Sequence, residues 1–219
     1  MDYQLIKTAD GSPTLYLPKW DEYYHSKHGA WQESNYVFIE KGLAHWQKKN
    51  SKKKLCTIFE MGFGTGLNAL LTSLYAEKNK LFVSYATVEA FPLPKGTIVF
   101  ELNDDENKLF ETMHQTDWGL SQQITTHFSL TKHHIKFEDF NPSFSLDLIY
   151  YDAFGSRVQP EMWTTEILEP IINCLQPGGV FVTYAALGHL KRTLESFGLR
   201  VEKLPGAPGK RHMIRAERV

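Results

Sequence analysis

The chain has 219 residues, with 24 basic and 25 acidic side chains, a net charge of −1 and an apolar fraction of 42%. That composition excludes a disordered polyelectrolyte and leaves no global basic surplus for binding nucleic acid. It also excludes a transmembrane helix, because no apolar run approaches the roughly 20 residues that cross a bilayer.

The N-terminus, Met1-Asp2-Tyr3-Gln4, has no basic segment followed by an apolar core, so no signal peptide is expected. Cys56 and Cys174 lie in apolar runs and suit buried thiols of a reducing, cytoplasmic compartment. Residues 3–17 read as two short strands around Asp10-Gly11-Ser12-Pro13, a β-hairpin. An aromatic-rich stretch follows, then a helix over 37–47 that leads into Lys48-Lys49 and Lys52-Lys53-Lys54. Residues 1–54 thus form a hairpin-and-helix extension ahead of a larger unit, 55–219.

In that unit strands are expected at 55–60, 82–89, 133–138, 146–152 and 179–186. Helices are expected between them at 67–78, 104–118 and 164–175, the last stopped by Pro177-Gly178-Gly179. Such alternation means an α/β fold, a Rossmann-like doubly wound, mostly parallel sheet. A further helix, 187–197, ends at Gly198. Residues 199–204 and 212–218 then form an antiparallel hairpin that closes the sheet. A plain dinucleotide-binding domain lacks that hairpin.

The strand at 55–60 ends on a carboxylate and runs into Glu60-Met61-Gly62-Phe63-Gly64-Thr65-Gly66-Leu67-Asn68, where a helix begins. Strand, glycine loop and helix start make a ligand cradle at the carboxyl end of a sheet. A dinucleotide fingerprint needs glycine at its sixth position, which Leu67 fills, and a P-loop needs a lysine that does not follow Gly66. Glu60 at the loop mouth would repel phosphate but suits a cationic or hydroxyl-bearing ligand. The pattern Glu-x-Gly-x-Gly-x-Gly resembles motif I of the class I S-adenosylmethionine-dependent methyltransferases. The cofactor implied is S-adenosyl-L-methionine, a phosphate-free sulfonium, with Glu60, Gly62, Gly64, Gly66 and Asn68 around it.

Ligands of such sheets bind outside the carboxyl ends of the strands, so each strand end carries weight. Glu89 ends the second strand, where a carboxylate accepts both hydroxyls of a ribose. The third ends Phe137-Glu138-Asp139-Phe140; Asp139 is favoured over Glu138 to accept from an adenine amino group, with Phe140 covering the ring. Either carboxylate equally suits a helix cap. The fourth strand ends at Asp152, which has no packing reason to be there. If the methyl acceptor is a nitrogen, Asp152 is placed to orient the amine and to take its proton.

Val88-Glu89-Ala90-Phe91-Pro92-Leu93, and Asp152-Ala153-Phe154 with Pro160-Glu161-Met162-Trp163, make the resemblance narrower. With Gln32-Glu33-Ser34-Asn35-Tyr36-Val37-Phe38 upstream and Gly206 and Gly209-Lys210-Arg211-His212-Met213 near the end, it runs through most of the chain. The chain resembles the methyltransferase module of the bacterial bifunctional enzyme that finishes 5-methylaminomethyl-2-thiouridine at the tRNA wobble position. The resemblance implies N-methylation of the 5-aminomethyl group of that uridine in the anticodon loop, with catalysis by Asp152. Lys210 and Arg211 match its basic segment and are read as tRNA-backbone contacts.

The family's fused partner is a flavin oxidase that removes a carboxymethyl group, and no residue after Val219 encodes one. A stand-alone methyltransferase is therefore expected, with the aminomethyl intermediate made by another protein or route. Tyr23, Tyr24, His25 and His28 with Trp31 suit either the wall of a uridine pocket or ordinary packing. His133-His134 alternate on a strand without further ligands at metal spacing, so no metal is expected. An aminopropyltransferase would carry an aspartate among the glycines, where Thr65 stands. A small-amine N-methyltransferase on the same fold is a further alternative. Three strand-end carboxylates argue against a non-catalytic RNA-binding module.

Overall fold

The computed structural model describes residues 2–142 and 144–219. At the N-terminus, β1 (Gln4–Lys7), β2 (Pro13–Leu17) and β3 (Glu22–Tyr23) pair as a small antiparallel sheet. The turn after β1 also starts a helix. Ser12 Oγ accepts from the Ala30 and Trp31 amides at 3.1 and 3.2 Å, and Asp10 Oδ2 accepts from the Gln32 amide at 3.0 Å. These are the donors that every helix start leaves unpaired, so the hairpin caps α1 (Ala30–Ser34) from 18 to 22 residues away.

From α1 the chain winds without a break through a π-helical stretch (Asn35–Ala44) into α2 (His45–Lys49). The helix expected over 37–47 is thus the middle of a longer one, begun by a cap that the local sequence does not display. Val37, Phe38, Leu43 and Trp46 are buried in the core of the main sheet. Gly42 allows that approach, since a Cβ there would lie 3.1 Å from Val182 and 3.3 Å from Tyr150.

The main sheet contains β4 (Leu55–Met61), β5 (Phe82–Glu89), β6 (Ser121–Thr125), β7 (Phe128–His134), β8 (Leu146–Tyr151), β9 (Leu175–Thr183), β10 (Leu199–Pro205) and β11 (His212–Arg218). Their spatial order is β10-β11-β9-β8-β4-β5-β7-β6, with β9, β8, β4, β5 and β7 parallel. Helices α3 (Leu67–Asn79), α4 (Asp104–Gln115), α5 (Thr165–Asn173) and α6 (Gly188–Ser196) connect them. β11 lies antiparallel between β9 and β10, the expected closing hairpin. Among the described residues no helix is long and apolar enough to cross a membrane.

Three expectations shift. The strand placed at 133–138 is β7, which ends at His134, and it pairs with a β6 that the sequence reading omitted. Polar residues alternate with Phe128, Leu130 and Lys132, and that half-buried pattern hid the hairpin. The last strand before the closing hairpin begins at Leu175, so Pro177-Gly178-Gly179 lies inside β9, beside a register shift against β8. Of the two cysteines Cys56 is buried and Cys174 only partly so.

The closing hairpin is tied to the long helix by one buried carboxylate. Glu217 on β11 receives Lys49 at 2.6 Å, together with His45 and Arg200. Burial opposes its ionisation, but hydrogen bonds from Lys49 and His45 outweigh burial and hold the carboxyl at about 2. A folded value below the ordinary 4.5 stabilises the fold above that pH, and the contribution is lost as pH falls toward 2. Because Lys49 and Arg200 are half-exposed, Glu217→Gln should cost about 1–2 kcal/mol at neutral pH. The variant's unfolding midpoint should also depend less on pH below 4.5; a midpoint and acid profile equal to wild type would refute the link.

Candidate active site

β4 has β5 on one side and β8 on the other, and the chain reverses its winding direction there, which opens a crevice at the carboxyl ends. A cavity of about 730 Å³ fills it. The glycine loop, Glu89, Asn68 and Asp152 line it together with Trp20 to His28 of the N-terminal segment.

After β4 the backbone passes through Gly62, Gly64 and Gly66 at φ 85°, 50° and 80°, the left-handed region that side chains avoid. Gly66 has no room either, since a Cβ would lie 2.9 Å from His114 Nε2 and 3.0 Å from the Phe63 ring. Tyr24 lies against Gly64, and His25 Nε2 is 3.2 Å from Thr65 Oγ1. Burial holds the His25 imidazole down at about 4, so it is neutral at physiological pH.

Glu89 reaches back to this loop. Its Oε2 accepts from the Gly64 amide at 3.0 Å and its Oε1 from the Phe91 amide at 2.9 Å. Each oxygen keeps a second lone pair, and the residue lines the cavity. Asp152 follows β8, and its Oδ2 accepts from Asn68 Nδ2 at 2.8 Å. Burial, then the negative charge of Glu33, raise its carboxyl to about 8 against the pull of Asn68 and Lys210.

Glu60 is not at the loop mouth. It is 1% exposed, shares a sheet face with Thr87 and Tyr85, and neither carboxylate oxygen has a hydrogen-bond partner among the described residues. Burial and the charge of Asp152 push its carboxyl well above the usual range. Asp139 and Phe140 also stay outside the cavity. With β7 ending at His134, residues Phe137–Asp139 form a 3-10 turn that offers Phe137 and Glu138 to the cavity. Phe140 instead folds back to stack on Phe59 at 5.4 Å.

Of the aromatic segment, Tyr23, Tyr24, His25 and His28 line the cavity, while Trp31 packs edge-on against Phe100. Phe154 adds to that wall, with Trp20 and Tyr24 edge-on at 5.7 and 5.1 Å. Lys210 turns inward, with Nζ 2.6 Å from Glu33 Oε1, whereas Arg211 is exposed on a neighbouring groove. Glu33 carried no chemical reading of its own in the sequence. Its signal was a carboxylate on a helix otherwise rich in buried side chains: Ala30, Ser34, Val37 and Phe38.

A family model described as S-adenosyl-L-methionine-dependent methyltransferase matches residues 107–219, just over half of the chain. The chain belongs to that family. It is 28% identical over 232 residues to the tRNA 5-methylaminomethyl-2-thiouridine biosynthesis bifunctional protein MnmC of Pseudoalteromonas atlantica, across 94% of this chain and 32% of that protein. The MnmC of Paracidovorax citrulli is 26% identical across 95% of this chain and 34% of its own length. The chain thus spans about a third of the curated relatives it matches. A crystal structure of MNMC2 from Aquifex aeolicus superposes with a TM-score of 0.82 at 26% identity, covering 99% of this chain and 70% of that one. The S-adenosylmethionine-bound methyltransferase CalS10 from Micromonospora echinaspora, at 11% identity and a TM-score of 0.52, shares the fold.

The cavity of this methyltransferase fits its cofactor. The glycines leave the loop without side chains, Glu89 offers a hydroxyl acceptor, and the loop has no lysine of a phosphate site. Glu89→Ala should weaken S-adenosylmethionine binding by about 30- to 150-fold, the loss of hydrogen bonds to a charged acceptor, with the fold kept by circular dichroism. Calorimetry checks this, and wild-type affinity would remove Glu89 from the cofactor site.

Proposed function

We propose that the chain methylates the nitrogen of the 5-aminomethyl group on 5-aminomethyl-2-thiouridine at the tRNA wobble position. The observation that carries this reading is Asp152, fixed by Asn68 beside the cofactor loop and facing an aromatic wall. Relatives named for 5-methylaminomethyl-2-thiouridine biosynthesis support the same acceptor. Phe154, Trp20 and Tyr24 offer flat apolar surface to an extruded base, which suits a nucleobase better than a flexible aliphatic polyamine. Arg157, Lys203 and Arg211 line the adjacent groove and suit the phosphate backbone of the anticodon loop. That substrate places the chain in the cytoplasm.

Bound S-adenosylmethionine supplies a methyl group on a positively charged sulfur. The residues of the chain do the rest. The acceptor enters as an ammonium, which has no lone pair and must lose a proton before its nitrogen can attack. Asp152 accepts a hydrogen bond from that ammonium and takes the proton. In the chain alone burial raises its carboxyl to about 8, and an ammonium beside it favours the charged form that can accept the proton. Asn68 fixes the carboxylate by donating to Oδ2. Tyr24 and His25 close the loop side against water.

The test is transfer from labelled S-adenosylmethionine to tRNA bearing 5-aminomethyl-2-thiouridine, followed by nucleoside analysis. The wild-type chain should label that tRNA and not the same tRNA lacking the aminomethyl group. Asp152→Ala should keep its cofactor affinity and lose at least about 100-fold in kcat. Transfer to small amines with no labelled tRNA would refute the reading, and wild-type kcat in Asp152→Ala would remove that residue from the chemistry.

A further inference from the structure

Asp152 is not the only carboxylate in the cavity. Glu33 comes from α1, in the N-terminal extension, yet lines the same space, and its charge is felt at Asp152. It is 6% exposed. One oxygen, Oε2, accepts from the Ser26 amide at 2.7 Å, which fixes the carboxylate. The other, Oε1, is buried without an aligned hydrogen bond, although Lys210 Nζ is 2.6 Å away. Lys210 therefore occupies, as a close ion pair, the one Glu33 oxygen that no other group among the described residues contacts by hydrogen bond.

The same ammonium lies 3.7 Å from the centre of the Tyr184 ring. A cation between an aromatic face and a carboxylate is the environment that an alkylammonium ligand seeks. Here the chain fills it with its own side chain. The turn that delivers Lys210 is compressed for the purpose. At Gly206 a Cβ would lie 2.5 Å from the Lys210 carbonyl oxygen, and at Gly209, φ 83°, it would strike the His28 ring. Lys210 also forms part of the wall between the cavity and the groove of Arg157, Lys203 and Arg211. Lys210 thus borders both spaces.

We propose that Glu33 is a second acceptor-binding carboxylate, and that Lys210 is an internal cation on it which the substrate's ammonium displaces toward the basic groove. This rests on the amine acceptor proposed above. It makes Glu33 a specificity-determining residue: a neutral hydroxymethyl analogue could not displace Lys210. It also links occupation of the cavity to the RNA backbone, because the displaced lysine arrives where phosphates would receive it.

Binding of two nucleosides, 5-aminomethyl-2-thiouridine and 2-thiouridine, to the full chain loaded with S-adenosylhomocysteine tests this. Wild type should prefer the aminomethyl nucleoside. Glu33→Gln keeps an acceptor for the Ser26 amide and should reduce that preference at least about 10-fold, with S-adenosylhomocysteine affinity unchanged. Lys210→Met should bind the aminomethyl nucleoside more tightly than wild type while binding tRNA more weakly. A merely structural Glu33–Lys210 staple predicts weaker nucleoside binding in both variants. That result, or a wild-type preference in Glu33→Gln, overturns the proposal while leaving the amine acceptor standing. No preference in wild type overturns both.

Discussion

The end of the sheet where β4 and β8 part is built around carboxylates held away from water. Glu60 is buried beside the glycine loop, Asp152 and Glu33 line the cavity, and Lys210 pairs with Glu33. Burying charge is unfavourable unless it is paired or neutralised. The chain uses both answers. Burial pushes the Glu60 carboxyl well above the usual range, Asp152 is raised to about 8 and tied to Asn68, and Glu33 is paired. An amine, the acceptor proposed above, suits such a cluster of carboxylates.

That arrangement explains why residues 1–54 cannot be read as a mere appendage. Ser12 and Asp10 cap α1, α1 carries Glu33, and the continuous helix that follows packs on β8 and β9 through Gly42. The segment from Trp20 to His28 supplies the wall facing the glycine loop. Glu217 then ties that helix to the closing hairpin, whose turn delivers Lys210. Both partners of the Glu33–Lys210 contact are thus placed by elements far apart in sequence.

Sequence was informative where chemistry is local and weak where it depends on facing. The glycine loop, Glu89 and Asp152 were readable, because positive-φ glycines and strand-end carboxylates are local signatures. The parallel sheet and the closing hairpin followed from alternation of strands and helices. The face presented by Glu60 was not readable, since pairing with Thr87 and Tyr150 turns it under the loop rather than into the cavity. Asp139 was misplaced because β7 ends four residues earlier than expected, at His134. The match to a basic segment does not tell Lys210 from Arg211, but the tight Gly206–Gly209 turn aims Lys210 at Glu33 and leaves Arg211 exposed. Glu33 needed the remote cap on α1 to be seen at all.

On the proposed function the methyl group goes to an amine held between Asp152 and Glu33, and not to the ring, the sulfur or the ribose of the same nucleotide. Fragmentation of the wobble nucleoside by mass spectrometry, after reaction with methyl-labelled S-adenosylmethionine, reads that position directly. The added mass is expected wholly on the side-chain fragment that contains the aminomethyl nitrogen; label on the base ring, the thiocarbonyl sulfur or the ribose would refute that acceptor.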